Sequence, residues 1–302
     1  MSAQGVYFHR GRYRLLLRYL GCAIALPLSG CDLAVLSPAG PVAAGENIIL
    51  VDSMVIMLLI VIPTIVTTLA FAWWFRSSNP RARFQPNFAY SGRLELITWS
   101  IPALVVFFLG GVAWISAHTL DPARPLPAKT APLEVEVVSL DWKWLFIYPR
   151  QSVASVNHLV VPVGVPLHLR ITSASVFNVF FIPRLGSEIY SMYGMTSELN
   201  LQADHPGRYL GLSAHFSGDG FPDMHFDVDA VDGFAGWVDQ ARLASSVLDR
   251  AEYQALLKQS ADVAPHVYGA VDRGLFDAIV KGQLPPGLGP LASTAGSETG
   301  TH

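Results

Sequence analysis

The chain has 302 residues, of which 51% are hydrophobic and 14% charged, and a formal net charge of −3. An ordinary soluble domain carries about 25% charged residues, so this composition excludes a disordered chain and argues against a purely soluble enzyme. The acidic balance leaves no electrostatic footprint for nucleic acid. The charge is unevenly placed. Residues 1–120 hold eight arginines, no lysine and four acids (Asp32, Glu46, Asp52 and Glu95), whereas residues 121–302 hold 12 basic and 19 acidic residues, a net −7. A basic, apolar first third followed by an acidic remainder is the pattern of a membrane anchor carrying an exported domain.

Residues 1–30 read as a bacterial secretion signal. Arg10, Arg12, Arg14 and Arg18 form its positive region, and Tyr19–Leu28 is an apolar stretch too short to cross a membrane. It ends in Leu28-Ser29-Gly30-Cys31, which resembles the lipobox of bacterial lipoproteins and makes Cys31 the expected lipidation site. An uncleaved signal anchor with an incidental cysteine is the alternative. Asp32 resembles the residue that retains such lipoproteins in the inner membrane. The two cysteines are Cys22 and Cys31, so every later residue lacks a thiolate ligand, a disulfide or a cysteine nucleophile.

Residues 31–120 are expected to form a transmembrane helical hairpin with spans at about 50–75 and 95–117. Ser53–Phe75 and Leu96–Ala117 contain no charge; as helices they reach about 35 Å and about 33 Å, enough for a bilayer core. Pro63 and Pro102 lie inside them, which membrane helices tolerate, and Trp73, Trp74, Trp99 and Trp114 lie near their ends as interfacial aromatics do. Between the spans stand Arg76, Arg81, Arg83 and Arg93, with no acid before Glu95. The positive-inside rule places this loop in the cytoplasm and everything after His118 outside. The lipobox demands the same side for Cys31. The expected location is the bacterial inner membrane, with the soluble domain in the periplasm.

Residues 121–131, with Pro122, Pro125 and Pro127, form a stiff linker. Residues 132–233 read as all-β. Candidate strands are Leu133–Val138, Trp142–Tyr148, His158–Val161, Leu167–Ile171, Val176–Ile182, Leu199–Gln202, Arg208–Ser213 and Met224–Val228, with Gly, Pro and Ser between them. In the last, Met224, Phe226 and Val228 share one face, with His225, Asp227 and Asp229 on the other. Residues 234–281 read as a small helical extension. Ala241–Lys258 is expected to be a helix with Leu243, Val247, Leu248, Tyr253 and Leu256 on one face, and Leu275–Val280 a short further turn. Residues 282–302 have the composition of a disordered tail.

A lipobox, a two-helix hairpin and an exported β-domain together resemble subunit II of the haem–copper terminal oxidases. The resemblance covers Cys31 to about Val280 and implies a cupredoxin-like domain. In the cytochrome c oxidase branch that domain holds a dinuclear copper, bound by one upstream His and the motif Cys-x-Glu-x-Cys-x-x-x-His-x-x-Met, whose thiolates and imidazoles suit copper. With Met224 as the fixed point, the thiolate positions fall on Ser213 and Ser217, the Glu position on His215 and the second His position on Phe221. Asn178 stands where the first His would be. Met224 alone is retained, and no metal is expected in this chain. Phe180-Phe181-Ile182-Pro183-Arg184-Leu185-Gly186-Ser187, Ser213-Ala214 and Ser217-Gly218-Asp219-Gly220-Phe221 look instead like subunit II of bo-type ubiquinol oxidases. So does the region opened by Phe234, Trp237 and Val238.

The resemblance implies a structural, non-catalytic subunit of a proton-pumping quinol oxidase that reduces oxygen to water. No cofactor is expected on this chain. Haems, one copper and ubiquinol are expected in subunit I, and the partners are subunits I, III and IV and membrane lipid, with no cytochrome c. Glu95 matches the subunit II glutamate at the mouth of a proton-uptake path; the plainer alternative is an interfacial carboxylate. Asp52 reads as interfacial, His215 and His225 as solvated rather than a metal pair, and Asp219, Asp223, Asp227, Asp229 and Asp232 as a solvated face. Trp142 and Trp144 read as core packing. A free-standing inner-membrane lipoprotein with a metal-free cupredoxin-like binding domain is the rival reading.

Overall fold

The computed structural model describes residues 34–83, 85–128 and 130–287. The signal region, Cys31 and most of the expected tail lie outside the described residues. The chain divides into two compact units. The first, residues 1–37, is described only at its end, where Ala34–Leu36 makes one 3-10 turn. The second, residues 38–302, contains everything that follows.

Two long helices open it. Helix α1 runs from Pro41 to Trp74 and α2 from Gly92 to Thr119. Pro41 stands in the first turn of α1, where its missing N–H costs nothing. Pro63 and Pro102 are accommodated inside the helices without breaking them. Both helices are long and apolar enough to cross a membrane. Their large side chains project outward: Leu59 is 70% exposed and Phe107 80%. Such surfaces are stable against lipid or other helices, not water. At 34 residues, α1 is about 51 Å long. That exceeds a hydrocarbon core of about 30 Å, so one end of α1 stands outside the apolar layer. It begins well before the uncharged run at Ser53 and includes Glu46.

The β-domain is a two-layer sandwich. Its strands are β1 (Leu133–Leu140), β2 (Lys143–Tyr148), β3 (Val153–Val156), β4 (His158–Pro162), β5 (Pro166–Ser173), β6 (Asn178–Ile182), β7 (Gly186–Ser191), β8 (Ser197–Gln202), β9 (Gly207–Ser213) and β10 (His225–Val231). After it come α3 (Phe234–Ala241), β11 (Val247–Leu248), α4 (Arg250–Leu256), β12 (His266–Tyr268), β13 (Ala270–Val271) and α5 (Leu275–Val280). One sheet has the order β12-β3-β2-β1-β5-β8 and the other β4-β10-β9-β6-β7. Pairs β1/β5 and β4/β10 are parallel, and the remaining ladders of these two sheets are antiparallel.

Aromatic packing holds the sandwich. Phe226 of β10 stacks on Phe180 of β6 at 5.2 Å, and Trp144 of β2 meets Phe180 edge-on at 5.2 Å. Phe146 lies 5.1 Å from Phe226. All four are buried, and each such pair adds about 0.5–1.5 kcal/mol beyond its area. The period-two burial of Met224, Phe226 and Val228 is as the sequence predicts. Trp142 and Trp144 are core residues, Trp142 with a left-handed backbone (φ 65°) at the β1–β2 turn. Its ring lies against Gly220, where a Cβ would fall 2.4 Å from an indole carbon.

The six-stranded sheet is covered on both faces. Leu145 and Ile147 of β2 and Val138 and Leu140 of β1 point away from the sandwich, into a second core with Leu248, Tyr253, Tyr268, Phe276 and Ile279. The region after β10 is therefore a second layer as well as a set of short helices, and β12 adds a strand to the edge of the sheet beside β3. The long amphipathic helix expected over Ala241–Lys258 is not formed. Residues 242–249 break it with turns and β11, leaving Leu243 84% exposed while Leu248 and Tyr253 are buried. The run carries Ser245-Ser246, poor helix formers that favour turns.

Candidate functional site

Four of the six positions aligned with copper ligands, Asn178, Ser213, Ser217 and Met224, come together. Asn178 opens β6, Ser213 closes β9, and Met224 stands just before β10 after the 3-10 turn Phe221–Asp223. The Ser213 N–H donates to the Met224 carbonyl (3.1 Å), and the Ala214 N–H to the Val179 carbonyl (3.1 Å), which fixes the loop against β6. Asn178, Ser213, Ser217 and Met224 are all buried.

What fills the site is a polar network rather than a ligand set. The Ser213 hydroxyl donates to Asn178 Oδ1 at 3.4 Å, and Asn178 Nδ2 donates to Ser139 Oγ at 3.4 Å. Ser139 Oγ is 2.9 Å from Ser191 Oγ, whose hydroxyl donates to the Thr172 carbonyl at 2.7 Å. The Ser217 hydroxyl lies 4.0 Å from Met224 Sδ, and the Trp142 indole N–H donates to the Ser217 carbonyl at 3.3 Å. Two hydroxyls, a carboxamide and a thioether offer no thiolate and no imidazole. Hydroxyls stay protonated near neutral pH, so this donor set does not fit a dinuclear copper. The same groups satisfy one another, which is what buried polar groups require.

His215 and Phe221 are not drawn into this network through their side chains. His215 is exposed, with its ring 5.9 Å from that of Phe177 and 6.3 Å from that of Tyr190. The Phe221 ring is half-buried against Phe216 at 5.7 Å. His225 is exposed. Among the described residues no group of three or more His, Cys, Asp or Glu side chains is placed to share a metal ion. Of the acidic face, Asp219, Asp223 and Asp232 are exposed. Asp229 pairs with Arg208 at 3.0 Å and with His158 at 2.9 Å, and Asp227 lies 3.8 Å from Arg208. Burial alone would raise the Asp229 carboxyl, but hydrogen bonds from Arg208 and His158 outweigh it and hold it below the usual range.

Glu95 sits in the first turn of α2, its N–H donating to the Ser91 carbonyl at 3.0 Å, and is exposed on this chain. A helix N-terminus favours a carboxylate there. Asp52 is exposed within α1. Cys31 lies outside the described residues.

Three features escaped the sequence reading. Glu46 of α1 reaches the β6–β7 hairpin, accepting hydrogen bonds from Ser187 N (3.0 Å) and Oγ (2.5 Å). The contact is tightened by Ala39 N donating to the Arg184 carbonyl (2.7 Å) and Ala43 N to the Leu185 carbonyl (3.1 Å). Gly186 (φ 125°) makes this possible, since a Cβ there would lie 2.9 Å from the Ala43 nitrogen. Lys143 is buried between the sheet and the second layer, donating to the Lys258 carbonyl (2.8 Å) and Ser260 Oγ (2.6 Å). Burial pushes its ammonium down to about 8, against the pull of Asp141. Glu136 pairs with Arg170 at 2.8 Å, and Arg170 also reaches Asp277 of α5 at 3.1 Å. Burial pushes the Glu136 carboxyl up to about 7; Arg170 opposes this, and Asp277 and Glu134 reinforce it. Glu46 was legible only as one more acid near a span. A Lys or Glu inside a strand otherwise rich in apolar residues was the available signal for the other two.

Residues 243–287, the second layer, match the family model described as COX Aromatic Rich Motif. Tyr253, Tyr268 and Phe276 are its buried aromatics. The chain is 47% identical to the ubiquinol oxidase subunit 2 of Acetobacter aceti, over 86% of this chain and 86% of that protein. It is 43% identical to the cytochrome bo(3) ubiquinol oxidase subunit 2 of Pseudomonas aeruginosa, over 87% of this chain and 80% of that one. Among solved structures, the periplasmic domain of subunit II of cytochrome oxidase of Bradyrhizobium japonicum aligns at 24% identity and a TM-score of 0.35. It covers 38% of this chain and 96% of that one.

Proposed function

The chain belongs to the ubiquinol oxidase subunit 2 family, and on that premise we propose that it serves, without a redox centre of its own, in a proton-pumping complex that oxidises ubiquinol and reduces oxygen to water. The observation that carries this reading is the buried polar cluster in which Ser213 is hydrogen-bonded to Asn178 and Ser217 lies against Met224. Hydroxyls and an amide occupy positions that the cytochrome c oxidase branch gives to copper ligands. A complex fed by a membrane quinol needs no copper domain to receive electrons from a soluble carrier.

In this reading the haems, the single copper and the quinol site belong to subunit I, with subunits III and IV completing the assembly. Residues 31–120 anchor the chain in the inner membrane. The β-domain of residues 132–233 and the extension of residues 234–281 brace subunit I on the periplasmic side. Residues 1–30 are removed and Cys31 is lipidated, and Glu95 supplies a carboxylate at the entrance of a proton path.

The test is oxygen uptake by the complex purified through a tag on this chain, with a reduced ubiquinone analogue or reduced cytochrome c as donor. Rapid uptake from the quinol and none from cytochrome c is expected. Uptake from neither, with no haem-bearing partner co-purifying, would overturn the reading in favour of a free-standing lipoprotein.

A further inference from the structure

The geometry points to a binding site for one anionic phospholipid in the α1–α2 loop, with Arg81 and Arg83 holding the headgroup phosphate. The site rests on α1 and α2 lying in the membrane and not on the identity of the complex. An open groove of about 740 Å³ lies at this end of the hairpin. Trp74 and Phe75 from the end of α1, Phe88 from the loop and Leu94 from the start of α2 form its apolar wall, and Arg81 and Arg83 line it with them. All six side chains are exposed.

The loop is built rather than slack. The Arg76 guanidinium lies 4.7 Å above the Trp73 ring and donates to the Trp73 carbonyl at 2.9 Å. Asn79 Nδ2 donates to the Trp74 carbonyl at 2.6 Å, and Asn79 Oδ1 accepts from the Arg81 N–H at 3.2 Å. These bonds continue α1 into a turn that presents Arg81 and Arg83 beside the aromatic wall. Neither arginine is in an ion pair among the described residues, and residues 76–95 contain four arginines and one acid, Glu95.

The occupant follows from depth and charge. The groove opens where two apolar spans end, the level at which interfacial aromatics meet headgroups. A guanidinium binds a phosphate through paired N–H donors. Four arginines against the single carboxylate of Glu95 leave residues 76–95 with a net charge of +3, and that surplus positive charge selects an anionic lipid such as phosphatidylglycerol. The aromatic wall then takes the first part of an acyl chain, which a free phosphate lacks.

The experiment uses the intact complex in mild detergent. Delipidated complex is given phosphatidylglycerol, phosphatidylethanolamine or inorganic phosphate, and retained ligand is counted by native mass spectrometry. The wild type is expected to retain one phosphatidylglycerol in preference to the other two. Arg81→Gln with Arg83→Gln, assayed in complex selected by its haem absorbance, is expected to weaken that retention roughly thirtyfold, from about one kcal/mol for each arginine near an anionic lipid. A phosphatidylglycerol with a photoreactive acyl chain should label peptides containing Trp74 or Phe88 of the unsubstituted chain. That readout stands even where the double variant does not assemble. Equal retention of phosphatidylethanolamine, binding of inorganic phosphate alone, unchanged retention in the double variant, or coverage of the groove by a peptide of another subunit would each overturn the site. Quinol-driven oxygen uptake by the same preparation reports on the oxidase assignment separately.

Discussion

The carboxylate of Glu46 accepts two hydrogen bonds from Ser187, one from its backbone N–H and one from its hydroxyl. A residue near the start of a membrane helix thereby caps a β-hairpin 141 positions later in the chain. Glu46→Ala strands the Ser187 N–H in a half-buried place, at a cost of about 1–3 kcal/mol. Hydrogen exchange on the assembled complex should show faster exchange over residues 183–191, with the rest of the sandwich unchanged. Equal exchange in variant and wild type would mean that Ala39, Ala43 and Gly186 hold the junction without it.

Lys143 joins the first sheet to the second layer through the Lys258 carbonyl and Ser260. Lys143→Met keeps most of the side-chain volume and removes every donor. Amide exchange over residues 257–263 is expected to quicken about tenfold, the effect of losing roughly 1.4 kcal/mol of charge-assisted hydrogen bonding. Exchange in β6 and β9 should not change.

Glu136 makes stability depend on pH in a defined direction. Its carboxyl is raised from 4.5 to about 7, chiefly by burial. Between those values the folded protein holds a proton that the unfolded chain has released. The stabilisation is therefore fully present below about pH 4.5 and is lost as the pH rises through 7, by roughly 3 kcal/mol. The thermal midpoint of the complex should fall between pH 5 and pH 7 in the wild type. In Glu136→Gln that slope should be absent, and an unchanged slope would assign it to another group.

Glu95→Gln keeps the shape of the side chain and removes its exchangeable charge. If Glu95 stands at a proton entrance, steady-state quinol oxidation should drop about tenfold, about 1.4 kcal/mol on the limiting barrier, with haem content intact. Glu95→Asp should restore part of the rate. Turnover equal to wild type would leave Glu95 an interfacial carboxylate.

Much of the sandwich was legible wherever one face met the core and the other met water. Met224, Phe226 and Val228 alternate for that reason. Strand β2 does not alternate, because Trp144 and Phe146 face one core while Leu145 and Ile147 face another. Strand β3 has only four residues, and β7, reading Gly-Ser-Glu-Ile-Tyr-Ser, has too few apolar positions to stand out from a loop. The helix expected from Ala241 failed because composition over a window hides a break at Ser245-Ser246. The positions aligned on Met224 came from the resemblance to the copper motif of the cytochrome c oxidase branch, whose fixed spacing runs through the connection between β9 and β10. The role of Glu46 was not legible, since its partner is set by tertiary packing alone.

The strand that completes the edge of the larger sheet, β12, is separated from its neighbour β3 by more than a hundred residues and is among the last parts of the domain to be synthesised. Until β12 and α5 arrive, Leu145, Ile147, Val138 and Leu140 lack the cover of Tyr268, Phe276 and Ile279, and the outer ladder groups of β3 have no partner. The sandwich is thus left sticky on one face and open along one edge throughout its own translation. Contacts this distant in sequence form slowly, and an uncovered sheet edge is where a growing chain aggregates. A truncation before β12 would therefore do more than shorten the protein: it would fix the domain in its most adhesive state.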